Sequence, residues 1–250
     1  ILADLLMDIE KGRKDRICVN IPPRHGKSQL VSIFFPAWFL GRNPNKKVMM
    51  VSHTTDLAVD FGRKVRNLIS TDAYQAIFPT VQLASDSKSA GRWNTNVGGE
   101  YYACGIGSAL AGRGADLLLV DDPHSEQDVI NGNFTVFEKA YEWFTFGART
   151  RLMPGGRVAI IQTRWHMDDL TGRVVRDMTQ NDRADEYEVV EFPAILEIED
   201  KETEEIVEKP LWPEFFDLEA LLRTKASMPT FQWNAQYQQT PTAEEAALVK

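Results

Sequence analysis

At 250 residues, 43% hydrophobic and 26% charged, the chain has the composition of a globular protein with one large domain or a core plus a small appendage. Its formal net charge of −8 argues against a protein that coats nucleic acid generally, while leaving room for a local basic face. No apolar stretch approaches the ~20 residues a membrane-spanning helix needs, so no membrane partner is expected. Cys18 and Cys104 show no disulfide-framework spacing and fit a reducing cytosol, and the histidines show no metal-ligand spacing with them.

Ile17 to Ile21 reads as a buried strand feeding a loop, Ile21-Pro22-Pro23-Arg24-His25-Gly26-Lys27-Ser28, with the features of a phosphate cradle. Gly26 lets the backbone approach phosphate oxygens, Lys27 offers a point charge to the β- and γ-phosphates, and the Ser28 hydroxyl suits Mg²⁺. Pro23, Arg24, His25, Gly26, Lys27, Ser28 and Gln29 are the candidate nucleotide-binding residues. The usual pattern has glycine at position 21; here Pro22 and Pro23 remove two N–H donors, and side-chain charge on Arg24 and His25 is expected to fill the gap. Gln29 to Leu40 reads as the following helix, closed by Gly41, with its N-terminal dipole favouring an anion.

Lys47 to Ser52 reads as a second buried strand and Asp56 to Ile69 as an amphipathic helix. This strand–loop–helix repetition predicts an α/β fold with a mostly parallel sheet. Residues 92–106 read as a hairpin turning at Asn96-Val97-Gly98-Gly99. Residues 105–114 form a small-residue loop around Arg113, the kind of flexible setting that a charge-stabilising arginine finger needs and that a plain surface loop also has. Leu117 to Val120 is a short apolar run ending in Asp121, a candidate Mg²⁺ carboxylate, and Asp122, a candidate for orienting the attacking water where glutamate is more common.

Phe134 to Thr150 reads as a helix, Pro154-Gly155-Gly156 as a turn, and Arg157 to Ile161 as a strand delivering Gln162-Thr163-Arg164-Trp165 to the sheet edge near the γ-phosphate. Met167 to Met178 is helical in pattern, Glu188 to Phe192 is a final strand, Ile198 to Lys209 an acidic hairpin, and Asp217 to Gln239 two helices divided near Pro229. Thr240 to Lys250 reads as a linker. Arg149, Arg151, Arg157, Arg164, Arg173 and Arg176 crowd one stretch, either as a phosphate-binding face or as structural ion pairs.

Five segments occur in order: Pro-Pro-Arg-His-Gly-Lys-Ser, Val-Ser-His-Thr-Thr-Asp-Leu-Ala, Gly-Arg-Gly-Ala-Asp-Leu-Leu-Leu-Val-Asp-Asp-Pro-His, Gly-Gly-Arg-Val-Ala-Ile-Ile-Gln-Thr-Arg-Trp and Gln-Tyr-Gln-Gln-Thr-Pro. Over nearly its whole length the chain resembles the N-terminal ATPase domain of the large terminase subunit of tailed bacteriophages and prophages. The resemblance implies a P-loop NTPase fold of the ASCE type, with residues 1–180 as core and 181–250 as a lid subdomain and linker toward a nuclease domain. Adenine contacts would then lie partly upstream of Ile1. It implies ATP and Mg²⁺ as cofactors, Lys27 and Ser28 on phosphate and metal, Asp121 on the metal, Gln162-Thr163-Arg164 as the coupling motif, and Arg113 as a finger acting on a neighbouring subunit, with Arg24 as the rival within the same subunit. Its implied partners are double-stranded DNA, the portal protein, the small terminase subunit and further copies of the chain in a ring, expected to be pentameric, in the host cytoplasm. Residues 1–250 lack the acidic strand pattern of an RNase H-like nuclease, so DNA cutting is not expected of them. A helicase-like translocase and a non-hydrolysing nucleotide switch are the alternatives.

Overall fold

The structure is a computed structural model that describes residues 1–87, 89–130, 133–199 and 205–242. After helix α1 (Leu2–Lys11), strand β1 (Arg16–Asn20) leads into the candidate phosphate loop. The next helix, α2, is π-wound over Gln29–Phe34 and α-helical over Phe35–Arg42. There follow β2 (Lys47–Ser52), α3 (Thr55–Ile69), α4 (Asp72–Ile77), β3 (Arg92–Asn94), β4 (Glu100–Gly105), β5 (Ala115–Asp121) and α5 (Glu126–Ile130). Helix α6 (Thr135–Glu142) continues as a π-turn over Trp143–Ala148 and a 3₁₀ turn over Arg149–Arg151 before β6 (Leu152–Gln162). The remaining elements are α7 (Leu170–Gln180), β7 (Glu188–Glu191), β8 (Ile195–Glu199), β9 (Ile206–Pro210), α8 (Leu218–Ala226) and α9 (Thr230–Gln236).

Among the described residues seven strands form one sheet in the order β3-β4-β2-β5-β6-β1-β7, parallel except for β3 at one edge. The inner strands are buried on both faces, which is why they read as unbroken apolar runs such as Val-Met-Met-Val and Leu-Leu-Leu-Val. Helices α1, α2 and α3 cover one face through Leu5, Ile9, Phe39, Leu40, Phe61 and Val65. On the other face α6 and α7, with the π-turn between α6 and β6, pack Phe144, Ala148, Leu170 and Val174 on Cys18, Leu118, Val120 and Ile160. Because β6 lies between β1 and β5, the phosphate loop, the paired aspartates and Gln162-Thr163-Arg164 all emerge at the carboxyl ends of adjacent strands. This is where open α/β sheets place their ligands.

A separate small core, Ala194, Ile195, Leu221 and Trp233, holds the hairpin β8–β9 against α8 and α9. It lies within residues 181–250, the range expected to hold a lid subdomain and linker, although β7 in that range belongs to the main sheet. Strand β7 pairs with β1 in the main sheet, so the core sheet extends to Glu191. Residues 200–204 of the acidic hairpin and 243–250 of the expected linker lie outside the described residues.

Two further expectations change. Gly41 does not stop α2, which runs to Arg42; a Cβ there would sit 2.5 Å from the Phe78 ring, so glycine is required by close packing instead of chain reversal. Pro154-Gly155-Gly156 lies within β6, where Gly155 at φ +74° absorbs a register shift against β5. Helices α1, α4 and α5 come in addition to the elements expected from sequence; the first is a short amphipathic helix whose Leu5, Leu6 and Ile9 complete the core.

Candidate active site

Strand β1 ends at Asn20, and the chain turns through the loop with Arg24 at φ +63° and Gly26 at φ +78°. Both residues take left-handed backbone. For Gly26 this is cheap, whereas Arg24 accepts local strain. Arg24 is exposed at the rim and has no ion-pair partner among the described residues. His25 turns inward, its Nδ1 2.8 Å from the Pro23 carbonyl. Burial, reinforced by Lys27, lowers its pKa below the usual histidine value, so His25 is neutral. The positive charge expected from both residues therefore comes from Arg24 alone.

Lys27 is buried and places Nζ 2.7 Å from Asp122 Oδ2. Asp122 follows β5 at φ +43°, a conformation aspartate tolerates better than most residues. Its backbone N–H donates to Ile161 O, and its Oδ1 accepts the Thr163 N–H at 2.9 Å. Both carboxylate oxygens of Asp122 thus face the same centre, one toward Lys27 and one toward the segment that follows β6.

Asp121 is 1% exposed, and its Oδ2 accepts the Ser32 hydroxyl at 2.7 Å, while Oδ1 has no hydrogen-bond partner among the described residues. Burial and then the Asp122 charge raise its pKa to about 7, against the opposing pull of Lys27 and the Ser32 and Ser28 hydroxyls. An orphaned buried carboxylate oxygen beside two serine hydroxyls is the donor set a hard divalent cation takes. The residues therefore fit Mg²⁺, which Asp121 and Ser28 would hold. Gln29 is exposed at the start of the π-wound turn, behind Ser28.

Gln162, Thr163 and Arg164 are all buried. Thr163 donates its hydroxyl to Ile21 O, tying β6 to the start of the phosphate loop. The Arg164 guanidinium is held by Asp169, the N-cap of α7, with Nε 2.9 Å from Oδ2. Its backbone N–H donates to Oε1 of Gln239, which is fully buried. Neither amide atom of the Gln162 side chain has a partner among the described residues.

Arg113 does not reach this centre in its own chain. It precedes β5, salt-bridges Glu100 at 3.3 Å and lies over the Tyr102 ring at 4.5 Å. Glu100 begins β4, so Arg113 sits at the amino end of the sheet, a strand length of about 20 Å from Asp121 at ~3.3 Å per residue. Of the six arginines in the stretch, all but Arg151 have partners within the chain among the described residues. Arg149 pairs with Asp185, Arg157 with the Glu10 carbonyl, Arg164 with Asp169, Arg173 with Glu138 and Arg176 with Asp168. Structural pairing explains those residues, and no continuous phosphate-binding face results among the described residues.

A cavity of about 660 Å³ opens over the centre, lined by Lys27, Asp122, Thr163, His53, His124 and Trp165, with Gln236 and Tyr237 of the C-terminal part opposite. His53 and His124 lie in two of the five segments quoted above, which gave them no role, and the fold brings both to the cavity. His53 Nδ1 lies 3.3 Å from the Asp122 carbonyl, while His124 is buried and accepts the Leu170 N–H through Nε2. Ser32 and Asp169 join the site with no motif to announce them, and Gln239 joins it from the Gln-Tyr-Gln-Gln-Thr-Pro segment.

Residues 18–227 match the family model described as the terminase large subunit, T4likevirus type, N-terminal. The chain belongs to this family. As a member of the large-terminase N-terminal domains it shares their fold with several solved structures, all at low identity. The ATPase domain of the Thermus phage P74-26 large terminase superposes with a TM-score of 0.57 at 15% identity, covering 95% of this chain and 92% of that one. The HK97 bacteriophage large terminase gives 0.55 at 14% identity, covering 94% of this chain, which spans about half (49%) of that protein. The large terminase of another thermophilic bacteriophage, solved in complex with ATP-γ-S, gives 0.53 at 10% identity, covering 94% and 51%. No curated protein matches. Among the described residues no helix is long and apolar enough to cross a membrane.

Proposed function

We propose that this terminase domain hydrolyses ATP and couples the turnover to movement of double-stranded DNA into a procapsid. The observation that carries the reading is the convergence of Lys27, Asp122 and Thr163, which links a phosphate lysine, the end of the acidic strand and the coupling strand through contacts of 2.7 and 2.9 Å. Phosphoryl transfer to water is chiefly a matter of positioning and charge neutralisation. Loop amides and Lys27 bind and orient the triphosphate, while Asp121 and Ser28 would hold Mg²⁺, which would supply further neutralisation of the phosphate charge. Lys27 is drawn to the phosphate and loosens from Asp122. The freed Asp122 oxygen accepts a proton from the attacking water, with its other oxygen still anchored to the Thr163 N–H.

Thr163 and Arg164 then carry the change in Asp122 to the C-terminal part through Gln239. Assembly with the portal and the small terminase subunit, ring formation with five copies, Arg113 acting across subunits and a site of action in the host cytoplasm belong to the same proposal. One observation favours a second reading as a nucleotide switch: both Asp122 oxygens are engaged by protein groups. ATP turnover by the protein assembled on its portal, with and without DNA, separates the readings. DNA-stimulated turnover lost in Lys27→Ala supports the motor. ATP binding with no turnover in any assembly supports the switch.

A further inference from the structure

We infer that Trp212 is the stacking platform for the purine base of the nucleotide bound at the phosphate loop, an assignment that rests on the ATP-binding reading above. The indole is not among the residues that line the cavity over Asp122. It is the group that a Cβ on Gly26 would meet, at 3.7 Å. Gly26 immediately precedes Lys27, so the ring sits beside the backbone that grips the phosphates. A triphosphate whose terminal phosphates face Lys27 and Asp122 carries its nucleoside away from them, past the rim of this loop.

The platform is built before any base arrives. Trp212 stacks on Phe215 with centroids 4.9 Å apart, Phe215 meets Phe216 edge-on at 4.8 Å, and Phe216 packs on His25 at 5.1 Å. The N–H groups of Phe215 and Phe216 both donate to Trp212 O, locking the three rings in one turn. The Leu211 N–H, bonded to Ala194 O, fixes that turn to the small C-terminal core. Even so, Trp212 remains 40% exposed and Phe215 58% exposed. Two aromatics kept open to water beside a phosphate site are surface that a flat apolar ring would cover. Nucleobases stack on such side chains without needing sequence-specific hydrogen bonds.

The test separates base from phosphate. ATP and inorganic tripolyphosphate are titrated in Mg²⁺ against the wild-type chain, Trp212→Ala and Trp212→Phe. Stacking predicts that Trp212→Ala weakens ATP by roughly 10- to 100-fold while tripolyphosphate affinity stays within about 2-fold, and that Trp212→Phe keeps most of the ATP affinity. Equal losses for both ligands would make the indole a clamp on the loop and overturn the assignment, as would no loss for either. A wild-type chain that binds neither ligand would remove the ATP reading itself, a different failure. Irradiation of the wild type with 8-azido-ATP gives a second measure free of substitutions. Label in the 211–216 turn, protected by excess ATP, is the expected result, and label confined elsewhere overturns the assignment.

Discussion

Lys27 and Asp122 form an ion pair of 2.7 Å across the mouth of the phosphate loop, with the lysine buried and the aspartate in left-handed backbone. On the proposed ATP-binding reading, phosphate entering the loop would compete with Asp122 for one ammonium group, so that binding and release of the carboxylate would be one event. Asp122→Asn keeps an acceptor for the Thr163 N–H but removes the charge. The expected outcome is ATP affinity unchanged or tightened, because Lys27 is no longer shared, with turnover lowered by ~10²-fold or more through loss of the proton acceptor. Calorimetric binding and single-turnover hydrolysis read the two effects separately, and undiminished turnover would remove Asp122 from the chemistry.

Ser32 donates to Asp121 across a separation of 89 residues, inside a fully buried setting. Removing the hydroxyl leaves a second Asp121 oxygen without a partner beside the Oδ1 that already lacks one among the described residues. Ser32→Ala is expected to destabilise the domain by about 1–3 kcal/mol, the cost of an unsatisfied buried acceptor. Urea unfolding checks it, and a change below a few tenths would show that Asp121 finds another donor.

What the sequence revealed and what it hid follow from the range of each interaction. Strand β2, Lys47–Ser52, matches its predicted bounds because a strand buried on both faces must be apolar throughout. Helix α3 was legible from its amphipathic spacing, and the loop from Gly26, Lys27 and Ser28. The polar contacts that organise the site carry no such local signal: Ser32 with Asp121 and Arg164 with Gln239 join residues 89 and 75 positions apart. Arg113 shows the converse. It is close in sequence to Asp121, yet the intervening strand β5 carries it to the opposite end of the sheet.

The proposed role of Arg113 as a finger requires a neighbouring copy, because in its own chain it lies at the far end of β5 from Asp121. Its present partners, Glu100 and Tyr102, hold the guanidinium at a half-buried edge from which it could be presented. A finger contributes ~10³–10⁵ in rate. The expected outcome is that Arg113→Ala and Lys27→Ala chains are each inactive and that mixing them restores part of the ATPase on the portal. No recovery at any ratio would leave Arg113 a structural cation and return the finger role to Arg24.

Gln239 sits at φ +60°, fully buried, with Oε1 on the Arg164 N–H and Nε2 on Gln236 O. The same stretch is clamped twice to Ile195 by the Gln238 amide, so the coupling strand and the C-terminal core share one backbone segment. Gln239→Leu keeps the bulk and removes the link. ATP affinity should change by less than about 3-fold, a direct consequence of the residue lying outside the phosphate loop, with each lost buried hydrogen bond worth ~1 kcal/mol in stability. The decisive readout is hydrogen exchange: ATP-dependent protection in residues 193–199 and 230–240 should be present in the wild type and absent in the variant. Retained protection would show that the signal reaches the C-terminal part by another route.

His124 gives the domain a defined acid limit. It is buried beside Phe137, accepts the Leu170 N–H through Nε2, and burial drives its pKa down to about 4 despite the nearby Asp169, Asp128 and Asp122. The unfolded chain binds a proton near the ordinary histidine pKa of ~6.5 while the folded chain does not, so the unfolded state holds more protons between those values and stability rises with pH across the window. The contribution is complete above about 6.5 and is lost as the pH falls toward about 4, amounting to on the order of 3 kcal/mol. Protonation would also convert the acceptor of the Leu170 N–H into a donor and release the first turn of α7, which carries Asp169 and through it Arg164. His124→Gln offers a neutral acceptor that does not titrate. Its unfolding free energy should be lower than wild type at pH 7.5, through imperfect packing on Phe137, but should decline less steeply between pH 6.5 and 4. Parallel slopes for the two proteins would assign the acid limit to other groups.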